Sequence, residues 1–266
     1  MQDKLITIKK LLQMKQAGQK ISCLTSYDAS FTRMIEAAGV EVLLVGDSLG
    51  MVVQGRESTL PVTLDEMIYH THNVSRVRQY SLIVADMPFM SYRSPSLALE
   101  SAGRLMKEGA AHMVKLEGGE PQLESVRRLS SQGIPVCGHL GLQPQSVHKL
   151  GGYRVQGREA PMAETIRQDA SSLQEAGADL LILECVPAGL AQAVTRSLSI
   201  PVIGIGAGAA TDGQVLVIYD MLGMHPNPPR FVKNFLAQNG SIQLALQAYV
   251  DAVRDGSFPA VEHSFQ

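Results

Sequence analysis

"DLLILECVPAGLAQAVTRSLSIPVIGIGAG", residues 179–208, carries the alternation on which the fold turns. Residues 179–184 are an apolar run closed by a carboxylate, "PAGLAQAVTRSLS" has helical spacing, and residues 201–205 form a second apolar run. Two short buried runs joined by a helical crossover read as a βαβ unit. Its strands must be parallel, because the helix returns the chain to the end of the sheet from which it started.

The same pattern recurs along the chain. Runs rich in Val, Ile and Leu at 21–25, 42–46, 81–86, 112–116, 135–139 and 214–219 bring the predicted strands to eight. Helical stretches between them open at Thr63 or Ser94-Pro95, and "EAAGV", "KEGAA" and "EAGAD" supply glycine-containing turns back into strands. Eight such units predict an α/β fold, a (β/α)8 barrel of the TIM type, as a single domain over residues 1–266; an open doubly wound sheet is the alternative. "TIKKLLQMKQAG" at 7–18 reads as a leading helix, and "MLGMHPNPPRF" at 221–231 as an irregular loop before C-terminal helices.

With 45% hydrophobic and 18% charged residues, the chain has material for a large core and is not disordered. A formal net charge of -2 argues against a nucleic-acid partner, which needs a basic face. No run has the length of a membrane span or a signal-peptide core, so a cytoplasmic protein acting on small molecules is expected. Cys23, Cys137 and Cys185 are widely spaced within or beside apolar runs and read as buried, reduced thiols.

In a parallel barrel, loops converge at the strands' C-terminal ends, and this sequence places its unusual residues there. The second strand ends at Asp47-Ser48, the third at Asp86, the fifth at His139 and the sixth at Glu184. Lys115 and Glu117 of the fourth share one face, being two residues apart. Gly46 and Gly50 let the backbone turn tightly around Asp47-Ser48. Three converging carboxylates, Asp47, Asp86 and Glu117, call for a cation among them, and an oxygen-only ligand set suits Mg2+. Glu184 leaves a wholly apolar run, a setting suited to a proton acceptor. Asp28 and Asp220 read as structural or helix-capping, and Cys185 as an inert neighbour pointing away from Glu184. "GIGAGA" at 204–209 imitates a dinucleotide fingerprint, but it stands at the seventh strand without the following acid. Close backbone packing is the better reading. Together these groups suit abstraction of a proton beside the keto group of a 2-oxo acid, giving an enolate nucleophile.

"VGDSLGMVVQG" (45–55), "STLPVT" (58–63), "ADMPFMSY" (85–92), "VKLEGG" (114–119), "PVCGHLGLQPQSV" (135–147), "GGYRVQGR" (151–158), "LECVP" (183–187), "IPVIGIGAG" (200–208) and "EHSF" (262–265) resemble the ketopantoate hydroxymethyltransferase family in content and order. That resemblance implies a Mg2+-dependent barrel that moves a hydroxymethyl group from 5,10-methylenetetrahydrofolate to 3-methyl-2-oxobutanoate, in a cytoplasmic homo-oligomer that is usually a decamer. By the same resemblance Asp47 and Asp86 contact Mg2+, and Glu117 completes that site directly or through water. Ser48 and Lys115 join the aspartates in holding the oxo acid, Glu184 accepts the proton, and His139 assists at the incoming carbon or the new hydroxyl. The rival is the isocitrate lyase and phosphoenolpyruvate mutase group, whose lyases carry a Lys-Lys-Cys-Gly-His loop. Here Pro135-Val136 precede Cys137-Gly138-His139, so the lysines are missing.

Overall fold

The computed structural model describes residues 5–266, and residues 1–4 of the expected domain lie outside the described residues. Eight strands, β1 (Ile21–Thr25), β2 (Val42–Val45), β3 (Leu82–Asp86), β4 (Met113–Glu117), β5 (Val136–Gly141), β6 (Leu180–Glu184), β7 (Val202–Ile205) and β8 (Gly213–Leu216), close into a barrel. Every pairing is parallel. Closure is made by β1 against β8, with Ile21 opposite Gly213 and Leu24 opposite Leu216, which excludes the open sheet.

The eighth strand is shorter than the apolar run that predicts it. After Leu216 the chain turns into a short helix, Ile218–Met221, whose first amide donates to Thr25 Oγ1 at 2.9 Å. A short buried apolar run looks the same in a strand and in a helix turn, so 217–219 is not separable by pattern.

Strand alternation sorts the barrel along its axis. The inward series on four consecutive strands run from apolar to charged: Leu82, Val84, Asp86; Met113, Lys115, Glu117; Cys137, His139; Leu180, Ile182, Glu184. The apolar members form one buried cluster inside the barrel. The alternate residues, such as Leu43, Ile83, Leu116 and Leu183, pack outward beneath the helices. All three cysteines are free and buried.

The N-terminal end of the barrel is closed by the helix Ile8–Gln16. Thr7 caps it by accepting from the Lys10 amide at 3.2 Å, and its buried face, Leu11 and Met14, joins the interior cluster. Lys15 fastens it with a 2.7 Å ion pair to Asp212, just ahead of β8. Asp28 caps the helix Ala29–Ala37 through the amides of Ser30 and Phe31, as its position suggests.

His112, at the entrance to β4, supplies a pH-dependent contribution. Its Nδ1 accepts from the Ile83 amide at 3.0 Å, which requires a neutral ring. Burial, then the Arg78 charge, lowers its pKa from 6.5 to about 4. Above pH 6.5 the ring is neutral in folded and unfolded chains alike. As the pH falls below 6.5 the unfolded chain takes up a proton that the folded chain refuses until about pH 4, so stability is lost across that window. Solvent screening at the part-exposed ring holds the loss to about 1–2 kcal/mol. His112→Asn, which keeps an acceptor in place, is expected to flatten the decline of urea-unfolding stability between those pH values. A variant curve parallel to the wild type would refute this.

Candidate active site

The charged ends of β3 to β6 meet in one cavity of about 1130 Å³ at the C-terminal mouth of the barrel, joined by Asp47 and Ser48 after β2. All seven residues singled out from the sequence line it. Register explains their neighbours: Asp86 pairs with Lys115 across β3 and β4, Glu117 with His139 across β4 and β5, and Gly141 with Glu184 across β5 and β6.

Lys115 Nζ lies 3.0 Å from Asp86 Oδ1 and 3.4 Å from His139 Nδ1. Burial alone would lower its pKa, but the charges of Asp86, Glu117 and Asp47 outweigh burial and hold it above the usual lysine range. His139 lies between two acids, with Nδ1 3.4 Å from Glu117 Oε1 and Nε2 3.2 Å from Glu184 Oε2. Burial and the Lys115 charge oppose its protonation, yet the adjacent carboxylates of Glu117 and Glu184 raise its pKa to about 9. The ring is therefore an imidazolium at neutral pH.

Four carboxylates, Asp47, Asp86, Glu117 and Glu184, thus face two cations, Lys115 and His139. The excess of negative charge lies at the aspartates. The Asp86 Oδ1 atom is buried and has the Lys115 ammonium, at 3.0 Å, as its single close polar partner among the described residues. Asp47 is pushed well above the ordinary carboxylate range, first by burial and then by the charges of Asp86 and Glu117. A group that holds a proton this tightly for electrostatic reasons is equally served by a metal cation. Among the described residues, no three His, Cys, Asp or Glu side chains form a ready-made metal cluster. Two carboxylates that line one cavity nonetheless match how Mg2+ is held, with its other positions left to water and substrate oxygens. Glu117 is turned elsewhere, toward His139 through Oε1 and the Gln145 amide through Oε2.

Three supporting residues come from outside the strand ends. Gln145 donates to Asp47 Oδ2 at 2.8 Å and to the Met87 carbonyl at 3.0 Å, while its own side-chain oxygen accepts from Tyr92. Tyr27 OH meets Ser48 Oγ at 2.9 Å. Gln145 and Tyr92 sit within "GLQPQSV" and "ADMPFMSY", so the motifs marked the segments but not these side chains.

Two expectations require correction. Cys185 does not point away from Glu184 but lines the same cavity. Alternation stops there because its backbone is left-handed, at φ +47°. Its thiol is pushed up by burial and the Glu184 charge, so it remains protonated. Of the two readings given to Asp220, structural or helix-capping, the second fails: it lies inside the helix Ile218–Met221, caps no helix among the described residues, and lines the cavity. "GIGAGA" serves close packing, since a Cβ on Gly206, at φ +60°, would stand 2.9 Å from the Phe231 ring and 3.1 Å from that of Phe265.

The chain is similar over nearly all its length to known proteins. The family described as ketopantoate hydroxymethyltransferase matches residues 5–261. Among curated relatives, the 3-methyl-2-oxobutanoate hydroxymethyltransferase of Nitrosococcus oceani is 60% identical, covering 98% of this chain and 99% of that protein. The protein of the same name from Halorhodospira halophila is 58% identical, over 98% and 95%. Of solved structures, a phosphoenolpyruvate phosphomutase from Streptomyces platensis subsp. rosaceus aligns with TM-score 0.62 at 12% identity, over 82% of this chain and 83% of that one. A phosphonopyruvate hydrolase aligns with TM-score 0.63 at 11% identity, over 97% and 93%. At these identities the two structures share the barrel alone.

Proposed function

This chain belongs to the ketopantoate hydroxymethyltransferase family, and from that premise we propose that it transfers a hydroxymethyl group from 5,10-methylenetetrahydrofolate to 3-methyl-2-oxobutanoate with Mg2+ as its metal. The observation that carries the reading is the surplus of buried carboxylate charge at Asp47 and Asp86, opposite a cation, Lys115, and a strand-end acid, Glu184. Asp47 and Asp86 would hold the ion, with Glu117 behind them adding negative charge from its place on His139. When bound, Mg2+ supplies positive charge to the oxygens of a 2-oxo acid and lowers the cost of the negative charge left by loss of the C3 proton.

The chain's own groups divide the remaining work. Lys115 is cationic under all working conditions and attracts the substrate carboxylate. Ser48, held by Tyr27, donates to a carboxylate or keto oxygen. Glu184 presents Oε1 to the C3 proton, since its Oε2 faces His139 Nε2. His139 fixes that carboxylate and balances its charge, and it stands near enough to serve the incoming carbon or the new hydroxyl. The same reading makes the protein a cytoplasmic homo-oligomer, a decamer by family resemblance, whose product leads to pantothenate and coenzyme A.

The test separates the half-reactions. In heavy water with Mg2+ and 3-methyl-2-oxobutanoate, the C3 proton signal is expected to disappear in NMR without any folate, and chelation with EDTA is expected to stop the exchange. Addition of methylenetetrahydrofolate should then yield ketopantoate. Absence of exchange under conditions where the oxo acid binds would overturn the mechanism.

A further inference from the structure

The cavity is larger than an oxo acid and an ion require. Its volume of about 1130 Å³ exceeds the roughly 300–1,000 Å³ typical of small-ligand pockets. Beyond the carboxylate corner its walls are Tyr219, Met224, Pro229, Phe231 and Phe265, a mostly apolar surface suited to a flat ring system.

Asp220, next to Tyr219 in the chain, lines the cavity with them. Asp220 is only 8% exposed, and its Oδ1 is buried without a hydrogen-bond partner among the described residues. The proton abstraction described above makes no use of it. Burial pushes its carboxyl up from the ordinary range, with His225 pulling the other way. Its chain neighbour Tyr219 stacks on Tyr27 with ring centroids 5.9 Å apart, and Tyr27 OH meets Ser48 Oγ, which ties this wall to the reacting corner. A buried carboxyl oxygen without donors is costly, and the cost is offset either by a proton or by a ligand that supplies donors.

We propose that Asp220 receives the aminopyrimidinone edge of the folate donor's bicyclic ring, with the ring plane lying between the apolar walls. This rests on the reading of the donor as a methylenetetrahydrofolate. The ring N–H and the adjacent exocyclic amine are two parallel donors, the arrangement that a carboxylate accepts fork to fork. Discrimination of this kind is strong, because a ligand lacking the donors leaves the buried acid unpaired.

Calorimetric titration of the full-length protein tests it. Wild type is expected to bind the tetrahydrofolate analogue carrying methyl in place of the 2-amino group at least tenfold more weakly than tetrahydrofolate. Asp220→Asn should weaken tetrahydrofolate at least tenfold, bind the two folates within threefold of each other, and shift the Kd for 3-methyl-2-oxobutanoate by less than threefold. Wild type binding both folates equally overturns the proposal without recourse to any variant. So does an Asp220→Asn protein that retains wild-type affinity for tetrahydrofolate, or one that loses the oxo acid in equal measure. Wild type that exchanges the C3 proton but binds neither folate overturns the donor reading, and this inference falls with it.

Discussion

Glu184→Gln is expected to slow deuterium exchange at C3 of 3-methyl-2-oxobutanoate by about 10²–10⁴-fold, the range that a positioned general base contributes. The amide oxygen can still accept from His139 Nε2, which lies 3.2 Å from the native Oε2, so the ring and the cavity wall remain in place. The other native oxygen becomes an NH2 group and can take no proton. Binding of Mg2+ and of the oxo acid, measured by calorimetry, should therefore move by less than threefold. Exchange at near-native rate would assign the base to another residue, whereas loss of binding in step with exchange would make Glu184 a structural member of the site.

The largest effect on stability is expected from Gly141→Ala, at the seam between β5 and β6. Gly141 has φ +91°, and a Cβ there would stand 2.1 Å from the Glu184 carbonyl oxygen and 2.8 Å from Val186. That carbonyl also accepts from the Leu142 amide at 2.8 Å, so it cannot retreat without loosening the strand end. Backbone strain and overpacking together give about 2–6 kcal/mol, or a Tm lower by about 4 °C or more in thermal unfolding. A decrease of less than about 3 °C would show that the seam relaxes freely. The same displacement moves the backbone that carries Glu184, so catalytic exchange should suffer in any protein that survives.

The fold and the charged half of the site were legible because both depend on simple periods. Parallel strands buried on both faces appear as short apolar runs, and the charged residue that ends such a run marks the strand's C-terminal edge. Lys115 and Glu117 share a face by the two-residue period of a strand, Asp86, His139 and Glu184 are the first polar residues reached on theirs, and Asp47 is marked instead by its place just after the end of β2. Gln145, Tyr92 and Tyr27 come from loops and a helix lead-in, where no period predicts direction. Cys185 was misjudged for a related reason: alternation holds only in extended backbone, and one left-handed residue ends it. Asp220 looked like a cap because acids commonly cap helices. Its actual direction depends on how the chain leaves β8, which an unbroken apolar run does not reveal.

The helix Ile8–Gln16 seals one end of the barrel, and the strands below the charged layer are filled with side chains. Among the described residues, the interior below the charged layer is filled, and the cavity lies at the C-terminal mouth. In a blind chamber occupants form a queue: whichever molecule sits deepest enters first and leaves last, and the one above it serves as its lid. On the proposed reading, an order of arrival and departure would follow from the plug at the far end, among residues remote from the charged corner.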